Sequence, residues 1–165
     1  MNSEVDKAIS FACRVLACRR RTTRELNEKL EKQGFAAEVC RSVIDTLSQY
    51  GYIDDKAYAR LWIEQRLYKR GFPGLKRELL QKGIDNCIVD ETIAEAGPEA
   101  EFKAAFLLAL KKAAQSGGAC PYPRLARFLQ NRGYSYESIS RVGRTIADTG
   151  LNLDSFLKNL YNIAW

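Results

Sequence analysis

The side chains whose placement suggests a chemical task here are cations that recur in groups. Arg19, Arg20, Arg21 and Arg24 form one group. Arg66, Lys69, Arg70, Lys76 and Arg77 form a second, with Tyr68 among them, and Lys111, Lys112, Arg124 and Arg127 form a third. Such groups neutralise phosphates or meet an acidic protein surface, and they bind rather than break bonds. For catalysis the chain is poorly equipped. It contains no histidine, so the usual general base and nucleophile partner are missing. It has no G-x-S-x-G elbow and no glycine-rich phosphate loop. Asp54 and Asp55 stand where a helix begins, and capping accounts for them. We expect no enzymatic activity and no cofactor.

Metal binding is not expected either. The five cysteines (Cys13, Cys18, Cys40, Cys87, Cys120) include no C-x-x-C pair. Cys13 and Cys40 fall at apolar helical positions and are expected to be small buried thiols. The formal charge is +6, and four of those six excess charges lie in residues 98–165, which hold nine cations against five carboxylates. The start of the chain lacks a basic region followed by an apolar one, and the longest apolar run, Ala104 to Leu110, is too short to span a bilayer. The expectation is a soluble, reduced, cytoplasmic and monomeric protein with no membrane association.

The elements that must position the cations are stated three times. Gly34 is preceded by Leu26 and Leu30 and followed by Phe35, Gly83 by Leu75 and Leu79 and followed by Ile84, and Gly133 by Leu125 and Leu129 and followed by Tyr134. Leucines four apart share one helix face, and glycine just past the helix end supplies a left-handed cap. Recurrence at a spacing of 49 and then 50 residues marks a tandem repeat. No alternating strand pattern competes.

The fold expected is all-α: a tandem array of three three-helix repeats, elongated and curved, with a short C-terminal helix. The boundaries are 1–53, 54–97, 98–150 and, for the terminal helix, 151–165. In the first repeat a helix from Val5 to Arg20 presents Ile9, Ala12, Cys13, Leu16 and Ala17. Thr22 with Glu25 forms a capping box for the second helix, and Cys40, Val43, Ile44 and Leu47 face inward from the third. In the second repeat Tyr58, Leu61, Trp62 and Gln65 share the inner side of a helix reaching Arg70, and Asp85 caps a helix bearing Ile88, Val89 and Ile93. The third repeat has a looser connection from Ser116 to Pro123. Leu153, Phe156, Leu157, Leu160, Tyr161 and Trp165 recur at helical spacing, as an end cap needs. Equivalent repeats would set their cation groups along one side as a discontinuous positive stripe.

The run from Leu16 to Phe35, Gly51 to Asp55, Ala57 to Ala59, Arg70-Gly71, and Glu78 through Ile84 resembles the RecX family of recombination regulators. The resemblance is specific in residues 16–84, with Thr22-Thr23 where the family usually has serine. It implies a non-enzymatic protein that binds the RecA filament on single-stranded DNA, in its groove or at its growing end, and inhibits ATPase and strand exchange. The positive stripe read from the repeats is then expected to hold the filament, through Arg19, Arg20, Arg21, Arg24, Arg66, Tyr68, Lys69, Arg70, Lys76, Arg77, Arg124 and Arg127, with weak direct DNA binding also allowed. The alternative is a helical DNA-binding regulator acting without RecA through one helix-turn-helix-like unit. Its third helices, Ala36–Tyr50 and Asp85–Ala96, are acidic or neutral, which suits the major groove poorly.

Overall fold

The computed structural model describes residues 3–116 and 120–148, and every regular element among them is helical. In chain order these are α1 (Ser3–Cys18), α2 (Thr23–Lys32), α3 (Ala37–Gln49), α4 (Asp55–Arg66), α5 (Phe72–Gln81), α6 (Asn86–Ala96), α7 (Pro98–Ala114), α8 (Tyr122–Asn131) and α9 (Tyr136–Asp148). The expected terminal helix over 151–165 and part of the linker after Ser116 lie outside the described residues. Among those described, no helix is long and apolar enough to cross a membrane.

The repeated leucine–glycine phrase becomes one structure made three times. Leu26, Leu30, Leu75, Leu79, Leu125 and Leu129 are each at most 1 % exposed. Gly34, Gly83 and Gly133 all take positive φ, at 88°, 82° and 72°. In each case the glycine N–H donates to the carbonyl three residues back, and the apolar residue after it donates to the carbonyl of the second leucine. The bonds are Gly34 to Glu31 and Phe35 to Leu30, Gly83 to Leu80 and Ile84 to Leu79, Gly133 to Gln130 and Tyr134 to Leu129. This is a Schellman cap, which satisfies carbonyls that a helix end otherwise leaves open.

Packing groups the chain into two compact units. Among the described residues, one gathers 3–62 with Glu78–Thr92, the other Ile63–Arg77 with 93–116 and 120–148. In the first unit the core is built from Ala8, Ala12, Leu26, Leu30, Val39, Cys40, Val43, Leu47 and Ile53, and Phe11 and Phe35 meet beside it at 6.2 Å between ring centroids. In the second unit Leu110, Ala113 and Leu125 form a cluster that Phe106, Cys120 and Ile146 cover.

Two inward faces differ from expectation. On α1 the stripe runs through Ala8 and Ala12 with Val5, Ile9, Phe11, Val15 and Leu16 against the core, leaving Cys13 and Ala17 exposed. Only Cys40 of the two thiols expected inside is buried, and burial pushes its pKa up, with Glu31 adding to the effect. On α4 the buried residues are Ala59 and Ile63, continued by Leu67 beyond the helix end, while Tyr58, Leu61 and Trp62 are half-buried and Gln65 is exposed. The apolar stripe lies one residue further along than expected. Aromatic rings with a polar handle favour a position that is partly wet, and aliphatic residues take the dry one.

The caps explain where α2 and α4 start. Thr22 is the N-cap of α2, its hydroxyl accepting from the Glu25 N–H at 3.1 Å. The reciprocal half of the expected box is replaced: the Glu25 carboxylate turns to Lys82 at 2.7 Å. Asp54 caps its own helix by accepting from the Ala57 N–H at 2.8 Å. Asp55 instead reaches the Thr23 N–H, also at 2.8 Å, so it caps α2 from α4. Thr22 also donates through Oγ1 to the Lys82 carbonyl at 2.8 Å and is itself fully buried. Thr22→Val should therefore lower stability by about 1–2 kcal/mol, since it deletes a cap and orphans a buried carbonyl. Urea denaturation followed by helical circular dichroism measures this, with Thr22→Ser expected to restore most of the loss.

Candidate functional site

A half-buried cluster of charge and aromatic rings sits where α2, α4 and the end of α5 meet in the first unit. Lys82 Nζ lies 2.7 Å from Glu25, 4.6 Å from the Trp62 ring centroid and 5.6 Å from that of Tyr58. The two rings stack at 5.8 Å, and Trp62 Nε1 donates to Glu78 at 2.9 Å. Burial works to raise the Glu25 carboxyl, yet the hydrogen bond and charge of Lys82, helped by Arg21, outweigh it and hold the group below its usual value. Burial likewise works against the Lys82 ammonium, and its bonds to Glu25 and Tyr58 overcome that and raise it. Asp55 titrates above its usual value because burial dominates and Asp54 and Glu25 add negative charge. Paired and occupied internally, this cluster joins helices.

The first cation group divides by exposure. Arg19 and Arg20 are exposed between α1 and α2, with no carboxylate partner among the described residues. Arg21 turns inward, its side chain 13 % exposed and 3.8 Å from Glu25. Arg24 pairs with Glu28 at 2.9 Å and lays its methylenes across Gly83, where a Cβ would stand 2.1 Å from Arg24 Cδ. Arg19 and Arg20 are thus available to a partner, whereas Arg21 and Arg24 are partly spent on the fold.

In the second unit Arg66 closes α4, Tyr68 and Lys69 are exposed just after it, and Arg70 is half-buried, packing along Gly74. Lys76 is half-buried and Arg77 exposed on α5, with Arg77 Nε donating to the Pro73 carbonyl at 3.3 Å. Arg124 and Arg127 are exposed on α8.

The geometry adds a site that pattern reading assembled only in part. Tyr68, Lys69, Leu107, Leu108, Lys111, Lys112, Gln115, Phe128 and Arg132 line a cleft of ≈ 570 Å³ within the second unit. Arg132 stacks over Phe128 with its guanidinium 5.0 Å from the ring centroid, and Lys112 approaches the same ring at 5.6 Å. Arg132 Nη1 also donates to the Lys69 carbonyl at 3.5 Å. Arg132, which immediately precedes the Gly133 cap, is absent from the expected set. Its counterpart at the Gly83 cap is Lys82, which is likewise absent from the expected set.

Comparison with known proteins gives a consistent set of relatives. A family model described as RecX, first three-helix domain, matches residues 8–47, and one described as RecX, second three-helix domain, matches residues 54–93. Regulatory protein RecX of Clostridium tetani is 33 % identical over 127 residues, covering 74 % of this chain, and the chain spans only 59 % of that relative's length. Regulatory protein RecX of Streptomyces coelicolor is 32 % identical over 145 residues, covering 85 % of this chain and 77 % of the relative. The crystal structure of RecX from Lactobacillus salivarius has the same fold, with a TM-score of 0.81 at 21 % identity over 89 % of this chain and 99 % of that one.

Proposed function

We propose, from the premise that this chain belongs to the RecX family of regulatory proteins, that it binds the RecA recombinase filament on single-stranded DNA and restrains it. Binding in the filament groove or at its end lowers ATPase and strand-exchange activity and so modulates recombination and repair. The chain does this as a binding protein with no reaction of its own.

The observation that supports this reading is the state of the cations. Arg19 and Arg20 in the first unit, and Arg124 and Arg127 in the second, are exposed and carry no carboxylate partner among the described residues. A fold that used these charges for its own stability would have paired them, as it paired Lys82, Lys56 and Arg141. A filament of nucleic acid and protein offers many weak anionic contacts to such groups, and contacts on one chain reinforce one another.

Titrating this protein into a RecA ATPase assay on single-stranded DNA tests the reading. The rate should fall with dose, and inhibition should weaken as salt rises. Charge reversal in both units, with Arg19→Glu and Arg20→Glu joined to Arg124→Glu and Arg127→Glu, should abolish inhibition while helicity stays unchanged. Undiminished inhibition by that variant rules the cationic surface out, and no inhibition by the unmutated chain rules out the regulatory reading.

A further inference from the structure

We propose that the cleft between Tyr68–Lys69, α7 and α8 is a seat for single-stranded nucleic acid, holding a base against its aromatic and aliphatic wall and phosphates on its cations. This deepens the preceding reading, since it assigns the chain a direct contact with nucleic acid rather than with recombinase alone.

Three observations carry it. The first is charge. Lys69, Lys111, Lys112 and Arg132 converge on the cleft, no carboxylate lines it, and none pairs with them among the described residues. Elsewhere in the same unit a cation is neutralised, as Arg141 is by Glu99 at 2.6 Å. The second is surface type. Tyr68 is 58 % exposed and Leu107 39 % exposed, and both border the cleft, so an accessible ring and an accessible aliphatic surface stand beside the cations. The third is that Phe128 is held in place by two cations rather than buried in the core, since Lys112 and Arg132 sit over its ring.

The combination selects among anions. An acidic peptide offers carboxylates on flexible stems and has no use for an exposed ring beside a leucine wall. Inorganic anions need only the cations. A nucleotide in a single strand pairs a flat apolar base with a phosphate at each step, and stacking plus backbone neutralisation is how unpaired strands are bound without sequence preference. The volume of ≈ 570 Å³ falls within the range of small-ligand sites, on the order of 300–1,000 Å³.

The test uses the full chain without recombinase. Fluorescence anisotropy of a labelled oligo-dT strand is measured across a salt series for the unmutated protein, for Lys69→Glu with Lys111→Glu, for Tyr68→Ala and for Tyr68→Phe. Both lysines and the tyrosine are exposed, so helicity by circular dichroism should be the same in all four. The double variant should bind at least tenfold more weakly, with a salt slope smaller by about 1.4, or about 0.7 for each phosphate lost. Tyr68→Ala should lose about tenfold and Tyr68→Phe almost nothing, because the ring face and not the hydroxyl does the stacking.

Unchanged affinity in the double variant overturns the proposal. So does equal competition by polyglutamate and oligo-dT at matched charge, which would make the cleft a seat for an acidic peptide. The ATPase titration separates this from the regulatory reading. A chain that restrains RecA but binds no free strand overturns the cleft assignment alone, and one that binds the strand yet leaves RecA untouched overturns only the regulation.

Discussion

Replacing Glu101 by alanine is expected to remove about 3–5 kcal/mol of stability, the largest loss of any single carboxylate in the described structure. Glu101 lies in the first turn of α7 and is 2 % exposed. Its Oε1 accepts from the Phe72 N–H at 2.7 Å and the Ser135 N–H at 3.2 Å, and its Oε2 accepts from the hydroxyls of Ser135 at 2.5 Å and Ser138 at 2.8 Å. One carboxylate thus caps the start of α5 and the start of α9 while sitting at the positive end of α7. Alanine leaves two backbone N–H groups without an acceptor and opens a polar void. Natural domains keep roughly 5–15 kcal/mol in total, so the loss is a large share of what holds the fold. Urea denaturation followed by circular dichroism reads it as a fall in the midpoint. Glu101→Gln should cost clearly less, because the amide oxygen still serves the two N–H groups and the serine hydroxyls can turn to accept from its NH₂. Equal losses for alanine and glutamine would show that charge and not acceptor count is what matters there. The neighbouring Tyr134 donates to the Leu67 carbonyl at 2.6 Å, and burial, with the Glu101 charge behind it, pushes its phenol far above the ordinary range.

Gly71→Ala should cost about 3 kcal/mol, from a single methyl group. A Cβ at Gly71 would stand 2.2 Å from Tyr134 Cα and 2.7 Å from both the Gly133 oxygen and the Tyr134 nitrogen. All three are backbone atoms, so no rotamer change relieves the clash. The start of α5 would have to move off the turn between α8 and α9. That movement stretches two backbone hydrogen bonds, Gly71 to the Arg132 carbonyl and Gly74 to the Gly133 carbonyl, both 3.1 Å. Gly34→Ala is the comparison. Gly34 has a positive φ of 88° but open space around its missing Cβ, so only the left-handed penalty of about 1–2 kcal/mol applies. Thermal melts of the two variants side by side separate the steric contribution from the conformational one. Comparable melting temperatures would mean that the approach at Gly71 relaxes cheaply. The result bears on function too, because Tyr68, Lys69 and Arg132 are positioned through this junction, and the cleft should weaken with it.

Much of the molecule was legible in the residues. Paired leucines ahead of a glycine can be read one position at a time, since both the helix face and its Schellman cap are local. The all-helical class, the three-helix organisation and the family relationship follow from such local signals, as does the scarcity of catalytic side chains. What local signals cannot rank is competition between neighbouring apolar residues for the same interior. Tyr58 and Trp62 looked as suitable for the inside of α4 as Ala59 and Ile63, and Cys13 as suitable on α1 as Ala12. The aliphatic residues won because the core had to be dry, while the rings found Lys82 and Glu78 at its edge.

The cation groups show the same division. Their positions along the chain are plain from sequence, but which charges remain free depends on partners both near and far in sequence. Arg24 is occupied by Glu28 and Gly83, whereas Arg19 and Arg20 are not. Glu101, which no local pattern singles out, caps two other helices. Thr22 and Gly71, 49 residues apart like Gly34 and Gly83, occupy equivalent places in the repeat. Tertiary structure alone shows that they make one junction by different chemistry. Thr22 reaches the Lys82 carbonyl through its hydroxyl, while Gly71, stripped of any side chain, brings its backbone N–H to the Arg132 carbonyl. Sequence by itself determined the repeat, because helix periods and caps are short-range. Which side chains stay exposed was decided only when the chain closed, because burial and charge pairing depend on which distant residues arrive.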